Sequence, residues 1–172
     1  MHLDLKEMIK RKGLFEGFTP IDERFDKRFT EVPLEIKGPP EEERLAAKNF
    51  PKVDAAGKKG DSLVFVELDN GGQISHTLLK FYYWLATDKS PQKVHLFHIY
   101  GKQFSKEVDK TGDNYLFHRL LVKFLLKKIA EIQGVGGNFK YTSSIDEPTG
   151  KGFEKADEAY KWLEEKIKTG FG

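Results

Sequence analysis

Two acids close the run SLVFVELD at residues 62–69, and a lysine follows on the next stretch, at Lys80. In a strand, successive side chains face opposite ways, so Leu63, Phe65, Glu67 and Asp69 share one face while Val64, Val66 and Leu68 share the other. A glutamate flanked by such apolar residues is rarely left without a partner. Asp54 stands in the stretch just before, close enough in sequence to reach Glu67 if the two runs pair. Three carboxylates converging at a sheet edge are costly unless something positive compensates them. Oxygen-only donors suit Mg2+ or Mn2+, with Asp54, Glu67 and Asp69 as ligands. On the helix expected to follow, Gln73, His76, Lys80 and Tyr83 form a polar stripe, opposite Ile74, Leu78, Phe81, Tyr82 and Leu85. A lysine beside a metal and a water can orient or deprotonate an attacking nucleophile, which is the chemistry of phosphodiester hydrolysis.

These residues need elements to hold them. Residues 52–56 and 62–69 read as antiparallel strands joined by the turn GKKGD, and Asn70-Gly71-Gly72 ends the second and opens a helix from about 73 to 86. Residues 93–100 are a further strand, so strand, crossover helix and strand form a parallel unit. Upstream, Leu5, Met8, Ile9 and Lys12 have helical spacing before Gly13. Residues 31–37 alternate as a strand, and 41–49 have the acidic first turn of a short helix. Downstream, 113–132 reads as a long helix whose apolar stripe, Leu116, Phe117, Leu120, Leu121, Phe124, Leu125 and Ile129, belongs in the core. A last strand at 139–144 and an amphipathic helix at 153–168, with Ala156, Tyr160, Leu163 and Ile167 on one side, close an α/β fold with a mixed central sheet flanked by helices. No repeat or long linker divides residues 1–172, which read as one domain.

Composition narrows the chemistry. The chain has no cysteine, so disulfides, thiolate zinc sites and cysteine nucleophiles are excluded. Its 29 basic and 27 acidic residues leave a net charge of only +2, so any nucleic-acid face must come from local clustering. The clusters IKRKG, GKKGD and LLKKI offer such charge, and Lys58 and Lys59 lie in the turn expected nearest the acids. No run approaches a membrane span and the N-terminal charges are interspersed, which points to the cytoplasm. His95 and His98, three apart on one strand, must face opposite ways and cannot form a local metal pair.

The block from Asp54 through Glu67 to Lys80 resembles the PD-(D/E)xK, or restriction-endonuclease-like, superfamily. That resemblance implies an αβββαβ core, here with extra C-terminal helices, that uses Mg2+ to cut nucleic acid. Asp54 matches the first acid and Glu67 the second. Two departures stand out: Pro51 precedes Asp54 by three positions instead of one, and the usual strand lysine is replaced by Asp69. Members exist whose lysine has migrated to the next helix, which is where Lys80 stands. The string VELDNGGQISHTLLKFYYW is also similar to the E-x-D…K…Y stretch of plasmid replication-relaxation-type proteins, with Tyr83 beside Lys80. The implied protein is a metal-dependent endonuclease acting on DNA, with catalytic Asp54, Glu67 and Lys80. Lys58, Lys59, Gln73, His76 and Tyr83 would contact substrate, and a homodimer would suit double-strand cutting. Its rival is a DNA-binding or partner-binding module on the same fold that has lost catalysis.

Overall fold

The structure, a computed structural model, describes residues 1–20, 53–69, 74–87, 93–102, 113–133, 138–145 and 152–171. The strand expected at 31–37 and the helix expected at 41–49 lie outside them. Helix α1 (His2–Arg11) leads into the two-residue strand β1 (Thr19–Pro20). There follow β2 (Ala55–Lys59), β3 (Ser62–Asp69), helix α2 (Ile74–Thr87), β4 (Lys93–Tyr100), the long helix α3 (Asp113–Gln133), β5 (Phe139–Ser143) and helix α4 (Ala156–Phe171). The chain is α/β: one mixed sheet in the order β1-β2-β3-β4-β5 with helices on its faces. β1, β2 and β3 run antiparallel, whereas β3, β4 and β5 are parallel.

Alternation along β3 sorts the core into two layers. Leu63 and Phe65 pack with Val94, Leu96 and Tyr100 of β4 under Leu78, Phe81 and Trp84 of α2 and Val122, Leu125 and Ile129 of α3. Val64, Val66 and Leu68 pack on the opposite face with Phe97 and Ile99, against Leu5 and Ile9 of α1 and Tyr160, Leu163 and Ile167 of α4. A parallel sheet covered on both faces must be apolar on both, which is why β3 and β4 read as nearly continuous hydrophobic runs.

Two expectations are corrected. Lys58 and Lys59 belong to strand β2 and not to a turn, because Lys59 pairs with Ser62 and only Gly60 and Asp61 connect the strands. A loop that short needs a positive φ, and Gly60 supplies it at 57°. Backbone pairing thus draws in a polar sequence that reads locally as loop, and Gly57 suits it because a Cβ there would come within 2.8 Å of the Phe15 ring. The stripe on α3 is also broader than its contact: Leu120 is 67% and Phe124 55% exposed. The helix turns the arc Val122, Leu125 and Ile129 toward α2, leaving the rim of the stripe outside.

Candidate active site

The three parallel strands end at the same edge of the sheet, where ligands characteristically bind in open α/β sheets. On the face covered by α2 and α3, that edge carries Glu67 and Asp69 from β3, His98 and Tyr100 from β4, and Tyr141 and Ser143 from β5. Their alignment follows from the parallel register, which pairs Glu67 with His98 and Asp69 with Tyr100. His98 in turn pairs with Ser143.

Helix α2 buries Leu78, Phe81 and Trp84, and this anchoring swings Lys80 over the end of β3. There its Nζ donates to Glu67 Oε1. Both side chains are largely covered, at 15% and 10% exposure, so the contact is shielded from water. Burial pushes the Lys80 ammonium down to about 8, with the negative charge of Asp54 opposing the shift. Asp54 sits where β2 begins: its backbone N–H donates to Val66 O at 3.1 Å, and its Oδ2 accepts the Leu68 N–H at 2.9 Å. It therefore brackets Glu67 along the backbone of β3. Its other oxygen lies 3.8 Å from Lys6 Nζ of α1.

Beneath Asp69 is a buried polar network. His98, fully buried, has Nδ1 at 3.0 Å from the Tyr141 hydroxyl and 2.9 Å from that of Tyr100, and the two hydroxyls are 2.9 Å apart. A tyrosine hydroxyl can donate to Nδ1 as well as accept from it, so this arrangement is compatible with a ring proton on Nε2. Nε2 faces Asp69 Oδ2 at 3.5 Å. The Tyr100 N–H donates to Ser144 Oγ at 3.1 Å, tying the end of β4 to the turn after β5.

Of the residues singled out in the sequence, the structure brings Asp54, Glu67 and Lys80 to one end of β3, with Asp69 alongside. It does not gather the acids into a cage: among the described residues, no group of three or more histidines and acids is close enough to hold a metal ion. Lys58 and Lys59 lie away from the acids, at the hairpin end of the strands. With Lys59 opposite Ser62 and Lys58 opposite Leu63, and strands rising about 3.3 Å per residue, they are roughly 17 Å and roughly 13 Å along β3 from Glu67. Gln73 and the side chains of His76 and Tyr83 lie outside the described residues. His98 and its two tyrosines are what sequence reasoning missed. The signal was present, since β3 and β4 are eight residues each and aligning their ends sets His98 beside Glu67. Compared with models of known protein families, with curated proteins and with solved structures, the chain matches none.

Proposed function

We propose that this chain is a phosphodiester hydrolase acting on nucleic acid, DNA by the resemblance of its motif, with Asp54, Glu67 and Lys80 as its catalytic residues. The observation that carries this reading is the contact of Lys80 with Glu67: a helix lysine reaches the acid beside which the strand offers only Asp69. The described elements support the reading in coarse form, with an antiparallel pair β2–β3, a helix, and a strand β4 parallel to β3 in one mixed sheet.

The donor chemistry fits Mg2+ or Mn2+ in a limited form. Carboxylates have about four lone-pair sites, so Asp54 and Glu67 keep acceptor capacity beyond their present partners. Two carboxylates completed by water and phosphate oxygens are a usual magnesium environment. Asp69, turned to His98, is a supporting residue in this arrangement. A cation held by Asp54 and Glu67 would supply Lewis-acid stabilisation of the phosphoryl oxygens. Lys80 Nζ, easily deprotonated because it is buried, accepts a proton from the attacking water or holds that water in line. Asp69 and His98 keep the floor of the site in one geometry.

Supercoiled plasmid incubated with Mn2+ tests the proposal. Nicking or linearisation is expected, and it should vanish with EDTA or in Glu67→Ala. Metal-independent DNA binding with no cleavage would instead support a binding module that has lost catalysis, a reading favoured by the fact that Lys80 already neutralises Glu67.

A further inference from the structure

At the opposite end of the parallel strands, two hollows adjoin along the last turn of α4. The first, of 290 Å3, is lined by Lys93, His95, Lys140, Gly170 and Phe171 among others. The second, of 490 Å3, shares Phe171 and adds Phe18, Lys12, Lys59 and Lys168, with Glu16 and Glu164 as its acids. Five lysines thus face two glutamates, and Glu164 is already 3.4 Å from Lys168. This local excess of positive charge is larger than that of the entire chain, whose net charge is +2.

Aromatic rings are set among these charges. Phe171 stands between the hollows, with Phe18 at 6.0 Å edge-on and the His95 ring at 5.5 Å. Lys59 Nζ lies 5.5 Å from the centre of the Phe18 ring and donates to the Phe171 carbonyl at 2.6 Å, which leaves two of its protons for another acceptor. Gly170 lines the first hollow without a side chain, and a Cβ there would stand 3.6 Å from the His95 ring.

We propose that this groove binds a single-stranded segment of nucleic acid, with Lys59, Lys93 and Lys140 on its phosphates and Phe18 and Phe171 against its bases. Lysines interleaved with partly exposed rings in a concave surface are the arrangement that recognises unpaired strands. A duplex keeps its bases stacked inside and gives the rings nothing to pack on, whereas a single strand offers the flat faces of its bases. The ligand class is that of the proposed function, extended to a second surface, but binding here needs neither metal nor the acids at the other end.

Fluorescence anisotropy with a labelled oligothymidine in EDTA separates the two. Wild type should bind without metal, weakening as salt rises. Lys93→Glu with Lys140→Glu, both exposed positions, should weaken binding at least tenfold and flatten the salt dependence by about 0.7 logarithmic units per lost phosphate contact. Phe171→Ala should cost several-fold, whereas Lys123→Glu on α3 should cost nothing. Failure of wild type to bind at low salt, equal loss in Lys123→Glu, or tighter binding of duplex than of single strand would each overturn the proposal. A thermal melt of each variant ensures that lost binding is read only from folded protein.

Discussion

His95 and His98 are three residues apart on β4, and the two ends of the sheet make different groups of them. At the carboxyl end, His98 is enclosed by Asp69 and two tyrosine hydroxyls, so its polarity is used to organise acids. Toward the amino end, His95 stacks on Phe97 at 4.0 Å, accepts or donates one bond with Thr142 Oγ1 at 2.9 Å, and sits among lysines. Burial and the charge of Lys140 push it down to about 4, so it is neutral at physiological pH. The residue type is constant and the strand is shared; neighbours brought from β3, β5 and α4 decide the chemistry. One end of the sheet gathers acids around the largely buried lysine Lys80, with Lys6 beside Asp54, and the other concentrates positive charge around rings.

The strongest way to break this contrast is to act on that buried lysine. Lys80→Met should lower DNA cleavage by about 10²–10⁴-fold, the usual contribution of a positioned proton-transfer group, while oligothymidine binding at the other end stays unchanged. Lys80→Arg sharpens the test, because guanidinium keeps the charge beside Glu67 but does not give up its proton. Cleavage by wild type should rise as pH passes about 8, where Lys80 deprotonates, and this step should be missing in Lys80→Arg. A full rate in Lys80→Arg would show that the lysine supplies charge alone.

A smaller effect is expected from His98→Phe. It removes the ring nitrogen shared by the Tyr100 and Tyr141 hydroxyls, which keep their bond to each other, so urea denaturation should show a loss of about 0.5–1.5 kcal/mol. As a residue acting through Asp69, it should cost about 10–100-fold in cleavage. Unchanged metal dependence of that cleavage would show that Asp69 needs no orientation from His98.

The smallest effect belongs to His95 and is confined to acid. Its folded pKa is lowered from 6.5 to about 4, so the unfolded chain takes up the proton first. Stability is therefore full above pH 6.5 and declines as pH falls toward 4. Thermal melts of His95→Phe across that window should show a flatter decline than wild type, and an identical profile would mean that other groups carry the acid sensitivity.

Much of the candidate site was legible because its cues are local. Period-two alternation in 62–69 places Glu67 and Asp69 on the face of Leu63 and Phe65, and helical spacing around Leu78 and Phe81 leaves Lys80 on a polar stripe. β4 occupies the same residues, 93–100, in sequence and structure, since a long β-branched and aromatic run between turn signals admits few alternatives. Lys58 and Lys59 were misplaced because charge and glycine suggest a turn, while their conformation is set by hydrogen bonds to a strand they must first meet. The stripe on α3 was over-read for a similar reason: apolarity marks what can be buried, and only the position of α2 selects the arc that is.

The amino-acid sequence by itself determined the strands at 62–69 and 93–100, which face each side chain of β3 occupies, and that oxygen and nitrogen ligands do any chemistry in a chain without cysteine. Tertiary structure alone decided that Lys80 meets Glu67, that His98 faces Asp69 across a parallel register, and that the hairpin carries its lysines to the far end of the sheet. Periodicity is written in neighbouring residues, whereas register and helix docking are settled by backbone pairing and core packing between segments far apart in the chain.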